Sequence, residues 1–198
     1  MMLDRRIPFY NTILKCTRYE QAPILLPKGY FFDFYQPGYE KAWAQLEVEA
    51  GDFETEEEAE CYFQDHYMSN IAELKKRGVF LLAPDGSVVG SCIAWQDLRQ
   101  DKMVSSLHWL IVSEKHQGKG LGKALCRKTM EAFEELPVYI HTQPWSWKAI
   151  MLYVSLGFKL QQRDTFSKYV NQYAEAMAAL KQILTAEQYE VLERSSDG

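Results

Sequence analysis

The chain has 198 residues, 47% of them apolar, 25% charged and 14% aromatic, the composition of an ordinary soluble globular protein, which excludes low-complexity, collagenous and disordered chains. Folding at this length hides roughly 70% of the surface of the unfolded chain, so a sizeable core forms without disulfides or metal staples. The 27 acids and 22 bases give a net charge of −5, and a mildly acidic chain lacks the global basic footprint of a nucleic-acid binder, so an anionic ligand has to be caught locally.

The elements follow in chain order. Pro8, Pro23 and Pro27 among scattered apolar positions predict an extended N-terminal arm over residues 1–28, leading into a strand-rich run at 29–35. After the turn signal Pro37-Gly38, residues 39–50 read as a helix ended by Gly51. A second helix starts at Thr55, which forms a capping box with Glu58. Acids crowd its first turns and Lys75, Lys76 and Arg77 its last, in the order the helix dipole favours, and Gly78 follows. Residues 79–83 and 88–95 are strands joined by Pro84-Asp85-Gly86-Ser87, in which Asp-Gly signals an antiparallel hairpin. A third strand over 104–112 runs into Gln117-Gly118-Lys119-Gly120-Leu121-Gly122, and helical spacing continues from Leu121 until Pro137. A strand over 138–142, a helix over 146–155 stopped by Gly157 and a strand from Phe158 come next. The tail over 169–194 reads as helical with a capping box at Thr185 and Gln188, and residues 195–198 read as frayed. The expected class is α/β, with a mixed, largely antiparallel sheet flanked by helices.

The four cysteines (Cys16, Cys61, Cys92, Cys126) are dispersed, with no C-x-x-C pair and no histidine at zinc-ligand spacing. This reads as a reduced, cytoplasmic protein without a metal. No apolar run approaches the ~18 residues of a membrane span, and Asn11 and Lys15 interrupt any signal core. Neither membrane nor nucleic acid is an expected partner.

A glycine loop between a strand and a helix aims backbone N–H groups and the positive helix end at an anion, so phosphate is the expected ligand. The nucleoside-triphosphate loop fails, because Gln117 stands where its first glycine belongs and Ala124 where its hydroxyl belongs. The dinucleotide fingerprint fails too, since its third glycine falls on Lys123. What the residues match is Q-x-x-G-x-G, which resembles the acetyl-CoA loop of the GCN5-related N-acetyltransferase superfamily. A second match follows the next strand: Ala149 to Phe158 is similar to the superfamily's A-x-x-L-Y-x-x-x-G-F. The order of elements from about Gly29 to Arg163, roughly two thirds of the chain, agrees with that fold. The resemblance implies an acetyltransferase domain over 29–168 with a helical extension of that domain over 169–198. One position departs: the superfamily commonly has Asn where this chain has Ser146. Lys115, Lys119, Lys123, Arg127 and Lys128 fall in a stretch without an acid, which places basic charge at the loop for the phosphates of CoA.

The resemblance also implies roles. Acetyl-CoA would be held by Leu110, Ile111 and Val112 at the strand end, by Gln117, Gly118, Lys119, Gly120, Leu121, Gly122 and Lys123 in the loop, and by Ser146 and Tyr153. Tyr153 matches the general acid that protonates the departing thiolate. Alternation along the third strand puts Ser106, His108, Leu110 and Val112 on one face and Leu107, Trp109 and Ile111 on the other. On that first face His108 would take the amine proton through water, as a neutral imidazole can, and the serotonin-acetylating members are similar in carrying His there. Backbone N–H at Ile111 or Val112 would polarise the thioester carbonyl. The implied function is acetyl transfer to a primary amine of a small molecule or peptide, with a non-catalytic acyl-CoA-binding sensor as the alternative and homodimerisation left open. Nine acids against Lys41 over residues 40–60 read first as a solvated face that complements the helix dipole, and would also suit a cationic acceptor. Tyr30, Phe31, Phe32, Phe34 and Tyr35 suit an aromatic acceptor or a core.

Overall fold

The computed structural model describes residues 6–99, 101–166 and 168–197, so the first five residues of the predicted arm and the last residue of the tail lie outside the described part. The elements in chain order are β1 (Thr12–Cys16), β2 (Phe31–Phe34), α1 (Tyr39–Ala50), α2 (Glu56–Tyr67), α3 (Ile71–Arg77), β3 (Gly78–Leu82), β4 (Val88–Arg99) and β5 (Lys102–Val112). They continue with α4 (Leu121–Met130), β6 (Val138–Thr142), α5 (Trp147–Ser155), β7 (Lys159–Gln161), α6 (Tyr173–Ile183), α7 (Ala186–Arg194) and β8 (Ser196–Asp197). The class is the expected one, mixed and mostly antiparallel strands flanked by helices. No helix among the described residues is long and apolar enough to cross a membrane. The described chain forms two compact units, the first of residues 21–95 and 107–134, the second of 6–20, 96–106 and 135–197.

In the first unit the strand order is β2-β3-β4-β5, with β2 antiparallel to β3 and the Pro84-Asp85-Gly86-Ser87 turn joining β3 to β4 as an antiparallel hairpin. The helical layer supplies Trp43 and Ala44 from α1, Ala59, Phe63 and Tyr67 from α2 and Leu74 from α3 to a core completed by Tyr35, Phe80, Leu82 and Ile93. The predicted second helix is broken into α2 and α3 by a 3-10 turn at Met68–Asn70. Ser69 and Asn70 compete for backbone hydrogen bonds and weaken a helix at that point. Thr55 accepts from Glu58 N at 3.1 Å, but Glu58 bonds the N–H of Glu54, so the cap lacks the reciprocal half of the box. Helix α4 stops at Met130, short of Pro137, where Glu131, Glu134 and Glu135 would put negative charge on the negative end of the dipole.

Glu47 on α1 is fully buried and hydrogen-bonded to Asp52, and its Oε1 has no partner among the described residues. Burial, then the charge of Asp52 and that hydrogen bond, push its carboxyl well above the ordinary value. A raised acid binds its proton more tightly folded than unfolded, so its contribution is present below the unfolded pKa and lost as pH rises towards the folded one. In that window stability falls by up to ~1.4 kcal/mol per pH unit. Glu47→Gln is expected to flatten this slope, as read from urea unfolding at a series of pH values.

In the second unit the order is β5-β6-β1-β7-β8. The segment read as an extended arm supplies β1, which lies between β6 and β7, antiparallel to both. Strand β5 pairs in parallel with β6 at Ser105↔Val138 and Ser106↔Tyr139. Residues 196–197, expected to fray, instead pair in parallel with β7, and the Thr185/Gln188 capping box of α7 is present in both halves.

Asp164 ties this unit together. Its carboxylate accepts from Arg99, from Lys15 Nζ at 3.3 Å and from the Tyr139 hydroxyl at 3.4 Å, with both cations over the Tyr139 ring. Burial pushes the Asp164 carboxyl up, but the bonds from Arg99 and Lys15 outweigh it and hold it below the ordinary value. Its contribution is therefore present above the unfolded carboxylate pKa and lost as pH falls through the folded one. Asp164→Asn is expected to cost about 2 kcal/mol at neutral pH and to leave a milder acid transition by circular dichroism.

Candidate active site

Gln117 Nε2 donates to Val112 O at 2.8 Å, fastening the start of the glycine loop to the end of β5. Gly118 and Gly120 take φ of 76° and 77°, the left-handed region that glycine enters without a Cβ penalty. A Cβ built on either meets nothing within 4 Å among the described residues, so the loop backbone faces open space at both positions. Gly120 is also the N-cap of α4, and no side chain caps that end. The first-turn N–H groups and the positive end of the dipole are thus offered outward, the arrangement that takes phosphate oxygens.

The basic run is not a uniform face. Arg127 donates to Pro23 O at 3.1 Å and Lys128 pairs with Glu131 at 2.8 Å. Lys119 Nζ donates to the Tyr30 hydroxyl at 3.0 Å, and that hydroxyl lies 2.9 Å from His116 Nδ1. Tyr30, read as an acceptor wall or core residue, therefore braces the loop. Leu121 is buried and brings only its backbone to the loop, as Ile111 and Val112 do at the strand end, while Lys119 is exposed, Gly122 and Lys123 are half-buried, and Leu110 is half-buried on β5.

Trp109 has φ 50°, strained for a bulky residue and of the kind that marks functional sites. It corrects the expected alternation. Trp109 packs against Trp43 of α1, Phe53 and Tyr62, while His108 Nδ1 lies 2.8 Å from the hydroxyl of Tyr67 on α2. Consecutive side chains thus face the same helical layer. Tyr67 had no sequence signal, because one turn after Phe63 it reads as an apolar-face position, and only the packing of α2 reveals the partner of its hydroxyl.

The acids over residues 40–60 serve local structure in large part. Glu40 accepts from Gly38 N at 2.8 Å and from Tyr35 at 2.7 Å, and Glu49 accepts from Ser113 Oγ and Glu114 N. Tyr35 is core, and Phe32 lines a surface cavity of about 590 Å³ with Ile24, Leu26 and Lys128. Among the described residues no group of His, Cys, Asp and Glu could hold a metal ion.

In the second unit Tyr153 lies on α5, nearly buried, its ring tilted against Phe158 at 5.9 Å. Ser146 precedes α5, buried, and its Oγ accepts from Gln143 Nε2 at 3.1 Å.

The sequence profile of the acetyltransferase (GNAT) family matches residues 32–158. No curated protein matches the chain at the sequence level. Among solved structures it is similar to a GCN5-related N-acetyltransferase from Sphaerobacter thermophilus, with 16% identity, TM-score 0.60, and 77% of this chain and 48% of that one covered. It is also similar to a GNAT-family acetyltransferase from Colwellia psychrerythraea, with 13% identity, TM-score 0.57, and coverage of 77% and 54%. A tandem GNAT protein from the clavulanic acid biosynthesis pathway gives 17% identity, TM-score 0.57, and coverage of 79% and 51%. The match spans about half the length of these relatives. With the family profile covering most of its length, the chain belongs to the acetyltransferase (GNAT) family.

Proposed function

We propose that the chain is an acetyl-CoA-dependent N-acetyltransferase acting on a primary amine of a small molecule or peptide. The observation that carries this reading is the open glycine loop on the uncapped N-terminus of α4, in a chain of this family. When bound, acetyl-CoA supplies an activated acetyl thioester. The backbone from Gln117 to Gly122 with Lys119 and Lys123 would hold its phosphates, the strand end Leu110 to Val112 and the Ser146 hydroxyl its pantetheine arm, and N–H at Ile111 or Val112 its carbonyl oxygen.

A primary ammonium of pKa ~10.4 is almost wholly protonated at neutral pH, so the amine has to lose a proton before it can attack. His108 takes that proton at its imidazole through water, and the Tyr153 phenol gives one to the departing sulfur. The domain in this reading spans 29–168, with 169–198 as its extension. Cys16, Cys92 and Cys126 are buried, Cys61 is exposed, and no disulfide joins them among the described residues, which supports a reducing cytoplasm. The test is a screen of amines for acetyl-CoA consumption with thiol release as the readout. Thiol release dependent on one amine class is expected. Tight acetyl-CoA binding with no release from any amine would overturn the enzyme in favour of a sensor.

A further inference from the structure

We propose that Tyr67 is the positioning residue for proton transfer: its hydroxyl holds the His108 imidazole at Nδ1 and so assigns proton exchange with the amine to Nε2. This rests on the reading of His108 as the base. Tyr67 Oη lies 2.8 Å from His108 Nδ1. The Tyr67 ring is fully buried, with Phe63 at 5.1 Å and the Trp95 ring edge-on at 5.1 Å and 83°. His108 lies on β5 next to Trp109, whose φ of 50° is fixed where its ring packs on Trp43, Phe53 and Tyr62. The donor and acceptor are therefore clamped from two elements, α2 and β5.

The chemistry of a hydroxyl matters here, because it both donates and accepts. With the imidazole hydrogen on Nδ1, that N–H donates to Tyr67 Oη and the Nε2 lone pair receives the proton lost by the amine. The resulting imidazolium keeps the same Nδ1–H bond to Oη, now charge-assisted and stronger. Loss of the Nε2 proton to solvent returns the starting state. In the opposite tautomer Tyr67 donates to Nδ1 and Nε2 carries hydrogen, a donor that takes up no proton. Rotation of the Tyr67 hydroxyl accommodates either tautomer without losing the contact, and the hydrogen passes between Nδ1 and Nε2 by exchange with water. Of the groups packed on this pair, Phe63 and Trp95 carry no charge. Among the described residues a titratable neighbour is His66, whose exposed ring lies 6.3 Å from that of Tyr67 and stacks on Tyr62 at 3.8 Å.

Tyr67→Phe in the full chain tests this, since it keeps the ring and removes only the hydroxyl. Nitrogen-15 shifts of the His108 imidazole report the tautomer without any need for turnover. They are expected to move in the variant, because Nδ1 loses the partner that holds it. With an amine substrate, kcat is expected to fall about tenfold, the effect of one hydrogen bond, at unchanged KM for acetyl-CoA. A folded variant with unchanged imidazole shifts, or with unchanged kcat, would overturn the proposal and make Tyr67 a packing residue. His108→Gln distinguishes failure of the underlying reading: loss of a base is felt most near pH 7 and shrinks as pH approaches the amine's own pKa, whereas a pH-independent loss removes His108 as base whatever Tyr67 does.

Discussion

Tyr153→Phe is expected to lower the rate constant at saturating acetyl-CoA by ~10²- to 10⁴-fold, the range of general acid catalysis, and to leave cofactor binding and Tm nearly unchanged. The separation is available because of where the residue sits. Its ring is almost fully buried on α5 against Phe158, so the apolar body contributes packing, and phenylalanine preserves it. What disappears, in the proposed role, is the proton that the phenol would give to the departing sulfur. A thiolate expelled without that proton leaves as an anion of higher energy, and the penalty falls on turnover rather than on affinity. Thiol release at saturating cofactor, with a thermal melt of each protein, checks both halves. A loss below tenfold would move the acid elsewhere, and a matching drop in Tm would show that the hydroxyl serves the fold.

Elements whose signals are local were legible in the sequence. Gly51 ends α1, Asp85-Gly86 turns the β3–β4 hairpin, and the Thr185/Gln188 pair caps α7 as expected. Each depends on residues within a few positions of one another. Strand β1 was not legible, because Thr12–Cys16 is buried almost throughout and shows no alternation, and its identity as a strand comes from partners more than a hundred residues away. Strand β8 is two residues long and has the same origin in β7. The glycine loop belongs to the first kind, since two glycines before a helix, Gly118 and Gly120, carry their geometry in their own backbone. The surroundings of His108 belong to the second. Neither the positive φ of Trp109 nor the Tyr67 contact follows from the period-two pattern, which predicted opposite faces for His108 and Trp109. Strain of this type is maintained by the tertiary packing around it, here the rings of Trp43, Phe53 and Tyr62.

Acetyl-CoA at a hundred times its dissociation constant is expected to add ~2.7 kcal/mol of apparent stability, a rise in Tm of about 5–10 °C for a chain of this size, and Gly120→Asp should abolish that rise. The argument turns on the N-terminus of α4. In the wild type that end has no side-chain cap among the described residues and a Cβ at Gly120 would face open space, so phosphate oxygens of the proposed cofactor would meet N–H groups without a side-chain cap. An aspartate there supplies its own carboxylate to the same groups and repels the incoming anion. The substitution also brings a Cβ into a φ of 77°, at a cost of ~1–2 kcal/mol, which Gly120→Ala shares without the charge. The alanine variant should therefore melt a few degrees low yet keep most of its response to acetyl-CoA, while the aspartate variant loses the response. Equal loss in both would mean that backbone shape, not charge, governs the site. ATP and NAD should leave every variant unmoved, because the loop matches neither of their fingerprints, and a wild-type protein stabilised by ATP but not by acetyl-CoA would overturn the cofactor assignment.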